Sequence, residues 1–405
     1  MRLRFMGAVA LLLLASCARA PEPSTVAASS AFAHGEQGAV ATASPQRQAQ
    51  GLRVALLAPV GIAEDAKANE DGLGLMLERA ARLAMRDMAA PFELDVIDTG
   101  TGTPGILDAA KRAVDGGAKL VVGPIYASDV ATASSVTLSA GVPMLAFTSD
   151  TGRAAGGVYT NAFTPEADIE ATLSHALALG TRHVVVFAPQ GRYGDLVLRT
   201  AKRTLARAGG QVAFAVRTNG SASSYRNAAL AAAVAVEGSD TIYIPEGGRA
   251  PRAILGELAR AGTAFAGKRI LGSGQWVNAD LKDARLDGAL FAANDETAFK
   301  TFAYRYEAIH ARKPKVLAAL AYDAVAVAVA LARRSPGRPW SRAAIESPAG
   351  FRGATGLFRF RANGTVERSL AIREVRDGET TQVKGAGERF GRGQVVVSGL
   401  GDLRR

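Results

Sequence analysis

From Leu52 onwards, short β-branched or apolar runs alternate with stretches of helical periodicity, and few folds satisfy that order. RVALLAP at Arg53–Pro59 is the first run. Gly74–Met88 then places Leu75, Leu77, Ala81, Leu83 and Ala84 on one helical face, opposite Glu78, Arg79, Arg82 and Arg86. Strand-like runs recur at Glu93–Ile97, Lys119–Gly123, Val142–Phe147, Val158–Phe163, Arg182–Ala188, Gln211–Arg217, Thr241–Pro245 and Arg269–Gly272. Helical stretches separate most of them, which predicts parallel sheets covered on both faces. The span is too long for one hydrophobic core, so the fold class is α/β with two lobes, each a parallel sheet covered by helices. Residues 51–163 form the first lobe, completed by about 295–333. Residues 164–294 form the second, completed by about 334–380. Thr355–Arg361 and Ser369–Arg376 read as a hairpin turning at Ala362-Asn363-Gly364, and 385–405 as a poorly ordered tail.

One stretch concentrates chemistry. In Ala118–Asp150, two buried runs end in loops rich in small polar groups. The carboxyl edge of an open α/β sheet is where ligands bind. The candidate cleft residues at such strand ends are Tyr126, Ser128, Thr148, Ser149, Asp150, Tyr193, Glu246 and Trp276. Each also has a purely structural account: Ser128 or Asp129 as a helix cap, Ser149-Asp150 as turn formers, Trp276 as packing. Their shared position at strand ends of both lobes favours a common cleft.

Catalysis finds little support. His34, His175, His183 and His310 are scattered without metal-ligand spacing, and the single cysteine excludes a disulfide. Gly262–Lys268 has the glycine and lysine spacing of a phosphate loop. However, Arg269 replaces the required hydroxyl residue, and the stretch lies between a helix and a strand, the reverse of a phosphate loop. The expectation is a protein that is not an enzyme and carries no cofactor or metal. The formal charge of +11 is spread along the chain, which argues against nucleic acid as a partner.

Arg2 and Arg4 precede a short apolar run, Ala8–Ala15, too short to span a membrane. Leu14-Ala15-Ser16-Cys17 resembles the lipobox of bacterial lipoproteins, which implies a signal peptide over 1–16 and acylation of Cys17. Residues 17–50, rich in Ala, Ser, Gln and Pro, read as a lipidated, disordered tether. Ala18 after the acceptor favours the outer membrane by resemblance to enterobacterial sorting.

Residues 52–376 resemble the type I periplasmic-binding-protein fold of the leucine-binding-protein-like class. The carriers are Gly123-Pro124, Gly141-Val142-Pro143, Tyr193-Gly194, Ala321-Tyr322-Asp323-Ala324, and F-x-G-x-x-G-x-x-x-F from Phe351 to Phe360. Within that class, Gly123–Val130 and Ala146-Phe147-Thr148-Ser149-Asp150 are similar to motifs of the lipoprotein activators of penicillin-binding proteins. The resemblance implies a periplasmic, outer-membrane-anchored regulator that binds a class A penicillin-binding protein and stimulates peptidoglycan synthesis. The alternative is a receptor delivering leucine-type amino acids to an ABC importer, or a ligand sensor, holding a small molecule between the lobes. Such receptors use a serine-rich loop for the ligand carboxylate and a second-lobe acid for its ammonium. Here the loop has few serines, and Ala250 stands at the acid's position unless Glu246 substitutes. Cys17→Ser, or globomycin treatment, is expected to leave unprocessed precursor or a soluble form; unchanged membrane fractionation would overturn the lipobox reading.

Overall fold

The computed structural model describes residues 51–61 and 72–390, and the backbone of 396–397. The signal peptide, Cys17, the tether and most of the tail lie outside the described residues.

The first lobe is built on five parallel strands in the order β2-β1-β3-β4-β5: β1 Arg53–Ala58, β2 Glu93–Asp98, β3 Leu120–Val122, β4 Met144–Ala146 and β5 Val158–Thr160. Every residue of β1 after Arg53 is buried, as both-face coverage requires. Val54, Leu56 and Ala58 pack against α1 (Leu73–Asp87), while Ala55 and Leu57 pack against α2 (Gly102–Asp115) and α3 (Ala127–Ser139).

The second lobe carries α4 (Pro165–Ala178), β6 (His183–Pro189), α5 (Arg192–Ala206), β7 (Gln211–Thr218), α6 (Ala222–Glu237), β8 (Thr241–Tyr243), α7 (Ala250–Arg260), β9 (Arg269–Leu271) and β10 (Leu290–Ala293). Helices α4 and α5 cover one face of its sheet, and α6 and α7 the other. The chain then returns through α8 (Glu296–His310) and α9 (Val316–Arg334), which pack with α1 in the first lobe's core. By length and composition α9 could cross a membrane, but it lies inside the protein core, with Ala318–Val329 buried.

Beyond α9 the architecture departs from the expected boundaries. Trp340, a short helix α10 (Arg342–Ile345), and strands β11 (Phe351–Gly353), β12 (Gly356–Phe360) and β13 (Val366–Arg368) follow. Trp340, Ile345, Phe351, Phe358, Phe360 and Val366 share one core with α1 and α9. The segment 334–368 therefore packs on the first lobe, not the second. The Asn-Gly turn does close a hairpin, but β12 pairs with β13. β14 (Ala371–Arg376) crosses to the second lobe, pairs antiparallel with β10, and is followed by β15 (Glu379–Lys384). Val396–Val397, as β16, pairs parallel with β11.

Three chain segments join the lobes: 161–164, 294–295 and 369–370. Arg368, wholly buried beside them, donates from Nε to the Ala162 carbonyl (2.9 Å) and from Nη2 to Asn161 Oδ1 (2.7 Å). Its Nη1 donates to Thr355 Oγ1 (2.6 Å), and the guanidinium stacks over Phe163 and Phe358. Asn161 donates in turn to the Leu320 carbonyl in α9. Asp323, also in α9, accepts from the Thr355 backbone (2.9 Å) and hydroxyl and from Ala354 N. This explains the glycine of F-x-G: a Cβ on Gly353 would fall 2.1 Å from Asp323 Oδ1. Burial pushes the Asp323 carboxyl up to about 6, against the Thr355 hydrogen bonds, and the Arg368 guanidinium down to about 10, against the pull of Asp323. Arg368→Met removes the donor from three buried acceptors and is expected to cost about 3–5 kcal/mol in urea denaturation. Asp323→Ala is expected to be comparably damaging. Because Thr355 links the two, the double substitution should cost less than the sum of the singles, and strict additivity would refute a shared network.

Candidate ligand-binding cleft

The strand β5 of the first lobe leads through 161–164 directly into the amino end of α4 in the second. The carboxyl edges of the two sheets therefore meet at the hinge, and the ligand-facing residues must come from the loops along those edges.

On the first lobe, β3 ends at Gly123-Pro124. Gly123 has φ +84°, and a Cβ there would fall 2.4 Å from the Leu57 carbonyl, so only glycine fits. The Pro124 carbonyl accepts from Phe147 N (2.9 Å), tying the loop after β3 to the loop after β4. Tyr126 is the residue preceding α3, with its ring half exposed, and Ser128 and Ser149 are exposed. Neither Ser128 nor Asp129 caps α3, contrary to expectation. The helix starts at Ala127 without a side-chain cap, and Ser128 Oγ instead donates to Asp129 Oδ1 (3.3 Å). Burial raises the Asp129 carboxyl, partly offset by that hydrogen bond. Thr148 is buried, its hydroxyl accepting from Asp150 N (3.2 Å). Asp150 caps the turn after it by accepting from Gly152 N (3.0 Å). Tyr126, Ser128 and Ser149 are thus the groups left facing outward.

On the second lobe, Gly194 lets α5 lie directly on the end of β6; a Cβ there would overlap the Pro189 carbonyl. That places the Tyr193 hydroxyl 3.2 Å from the Pro245 carbonyl, to which it donates, and 3.4 Å from Ser273 Oγ. Burial pushes this phenol up to about 12. Glu246, half-buried just past the end of β8, accepts from Tyr225 OH (3.0 Å) and from Thr218 Oγ1 (3.1 Å) at the end of β7. Trp276 lines no cleft. It is wholly buried, its ring over Gly272 and beside Phe291, and its Nε1 donates to the Ile244 carbonyl (2.9 Å). The packing account of Trp276 is the correct one.

Two residues that the sequence reading did not single out complete this edge. Asp168, in the first turn of α4, sits where a Cβ on Gly274 would be, with Oδ2 2.5 Å from that position. It interacts electrostatically with the Tyr193 and Tyr243 hydroxyls, and the Tyr243 hydroxyl is buried without a hydrogen-bond partner. Burial pushes the Asp168 carboxyl up to about 7, against the Gly274 N–H. Asp168 lies one turn before Thr172, whose hydroxyl accepts from Ala292 N in β10, so the acid stands on the sheet-facing side of the helix, a placement that the weak periodicity of α4 does not announce. Val277, of the same short helical turn as Gly274, helps line a mainly apolar slot of about 150 Å³ together with Phe163, Phe299 and Val316, its rim carrying Asn294, Asp295 and Glu296. Val277 and Val316 are 45% and 42% exposed there. Among the described residues no His, Cys, Asp and Glu cluster could hold a metal ion.

The sequence profile described as periplasmic binding protein matches residues 59–380. The chain belongs to the periplasmic binding protein family. Membership implies a periplasmic location, and the family is made up of proteins that bind rather than catalyse. Solved structures share the fold at low identity. A protein described as a branched-chain amino acid ABC transporter from Rhodospirillum rubrum is 18% identical with a TM-score of 0.67, covering 82% of this chain and 99% of its own. A branched-chain amino acid ABC transporter periplasmic ligand-binding protein from Burkholderia xenovorans is 17% identical with a TM-score of 0.61, covering 84% and 95%. An ABC transporter substrate-binding protein from Desulfitobacterium hafniense, in complex with Leu, is 16% identical with a TM-score of 0.56, covering 82% and 99%. No curated protein matches the chain.

Because the folded carboxyl of Asp168 lies above its ordinary 3.8, ionising it costs stability. The cost is full above about pH 7 and disappears as the pH falls below 3.8. Asp168→Asn is therefore expected to stabilise the protein by on the order of 2 kcal/mol at pH 8, and by nothing at pH 3.5, in paired thermal melts.

Proposed function

We propose that this periplasmic binding protein is a receptor for an apolar amino acid, captured between its lobes for delivery to an importer or for sensing. The observation that carries the reading is Asp168: a carboxylate on the second-lobe edge, near Tyr193 and against Gly274, whose helical turn also carries Val277 of the apolar slot. The carboxylate suits the ammonium, and the slot suits a side chain of leucine size. The hydroxyls of Ser128 and Ser149, with Tyr126, face the ligand carboxylate from the other edge. Asp168 thus offers an acid in a chain that carries Ala250 at the family's position, while Glu246 is already engaged by Tyr225 and Thr218. The similar proteins whose descriptions name branched-chain amino acids or Leu support the same class.

A second reading rests on the motifs of Gly123–Val130 and Ala146–Asp150: activation of a class A penicillin-binding protein, with Cys17 acylated and the chain anchored to the outer membrane. Those motifs fold into two loops tied by the Pro124–Phe147 hydrogen bond. The family match and the fold similarities favour the receptor over the activator.

Calorimetry decides between them. L-leucine is expected to bind with micromolar affinity, ten- to a hundredfold tighter than glycine, the difference that burying an aliphatic side chain provides. Asp168→Asn should weaken leucine binding at least tenfold at pH 8. Absence of binding to any amino acid, together with faster glycan polymerisation by a class A synthase in the protein's presence, would reverse the order of the two readings.

A further inference from the structure

Away from the cleft, a trough runs along the outer flank of α4. Its upper part is a polar cavity of about 460 Å³, walled by Glu166, Glu170 and Ser174 at helical spacing, by Arg203 of α5 and Arg207 just past its end, and by the β12–β13 turn of the first lobe. Through Glu170, Ser174 and Arg207 it continues into a hollow of about 330 Å³ floored by Leu177, Ala178 and Ala208. The trough spans both lobes: Thr151 of the first donates from its hydroxyl to Glu166 Oε1 of the second (3.1 Å).

Two of its three carboxylates are ion-paired, while Glu166 accepts only from Thr151 and keeps its second oxygen buried without a hydrogen-bond partner. Arg203 donates to Glu170 (2.8 Å), and Arg359 (2.7 Å) and Arg361 (3.3 Å) both donate to Glu367. Along α5 and just past its end, unpaired cations outnumber the trough's one unpaired acid, Glu166. Arg207 in the trough, and Arg199 and Lys202 on the exposed side of α5, are exposed and have no ion-pair partner among the described residues. Uncompensated positive charge therefore adjoins an apolar floor. A membrane surface would not enter a concave trough, and a glycan has no aliphatic group to cover Leu177 and Ala208. An extended polypeptide carrying carboxylates and aliphatic side chains in turn matches both parts, and the hydroxyls of Thr164, Ser174 and Thr365 can serve its backbone.

We propose that this trough docks an extended acidic segment of a partner protein, with carboxylates at Arg207 and α5 and an aliphatic side chain over the Leu177–Ala208 floor. The site is separate from the cleft, and its occupation does not require an amino-acid ligand.

Fluorescence anisotropy with a fluorescein-labelled twelve-residue peptide of alternating aspartate and leucine tests it on the whole protein without added amino acid. Saturable binding that weakens as salt rises from about 50 to 300 mM is expected. The paired reversal Arg199→Glu with Arg207→Glu should weaken binding at least tenfold, and Ala208→Asp at least threefold. All three side chains are exposed, so these variants should keep the parent's thermal melt. Equal affinity for a lysine–leucine peptide of the same length, or undiminished binding by the double reversal, would overturn the proposal. So would failure of the acidic peptide to bind while a heparin fragment or phosphatidylglycerol vesicles bind in an Arg207-dependent manner, which would assign the trough to a glycan or a lipid surface.

Discussion

Arg368 holds the point where the two lobes join, and the arrangement of the rest follows from how it is satisfied. A buried guanidinium is tolerated only when its donors meet acceptors. Here they meet Asn161 and Ala162 of one connecting segment and Thr355 of the β11–β12 turn, while Phe163 and Phe358 cover the ring plane. Thr355 passes the constraint to Asp323, and Asn161 passes it to the Leu320 carbonyl, so both ends terminate in α9. The first connection is therefore locked to the first lobe. Rotation between lobes has to take place at its second-lobe side, near Thr164-Pro165, and at the other two crossings. The Glu296–Arg373 ion pair (2.6 Å) ties those other crossings together across the lobes.

Given that anchorage, the cleft's two edges have different characters. The first-lobe edge is a pair of loops pinned by one backbone hydrogen bond and presenting neutral hydroxyls. The second-lobe edge is an acid held beside two phenols in a site dry enough to oppose its ionisation. A carboxylate so placed gains from a cation more than an exposed one would, because the charge partner arrives where water is already excluded. The same circumstance makes the residue a stability liability when no cation is present, a trade common at binding sites.

The lobes, the strand–helix alternation and the Asn-Gly turn were legible in the sequence because each rests on local periodicity or turn chemistry. The allocation of 334–368 was not, since it depends on which lobe offers an apolar face, and aromatic residues such as Trp340, Phe351 and Phe358 do not say so alone. β14 was mistaken for the partner of β12 for a related reason: an Asn-Gly turn fixes that a strand reverses, but not how soon the returning strand leaves for another sheet. In the candidate site, Tyr126, Ser149 and Tyr193, which the strand-end rule picked out, do stand on loops or helix starts at the carboxyl edges of the two sheets. The rule overreached at Trp276, where a strand-end residue turns into the core. It missed Asp168 because that residue belongs to a helix, and its position against Gly274 is a tertiary fact that only the absence of a Cβ permits.

Helix α5 begins at the cleft with Tyr193 and ends at the outer trough with Arg203, and Arg207 follows just past its end. Tyr193 and Arg207 are about 21 Å apart along its axis, at 1.5 Å per residue. Gly194 seats its near end on Pro189 with no room for a side chain, and buried Val197, Ala201 and Leu205 fix its length against the sheet. The helix is in effect a push-rod with a recognition group at each end. A change of fit at Tyr193 large enough to shift the rod must also move the guanidinium groups at the far end. The two surfaces are mechanically in series, even though no side chain belongs to both.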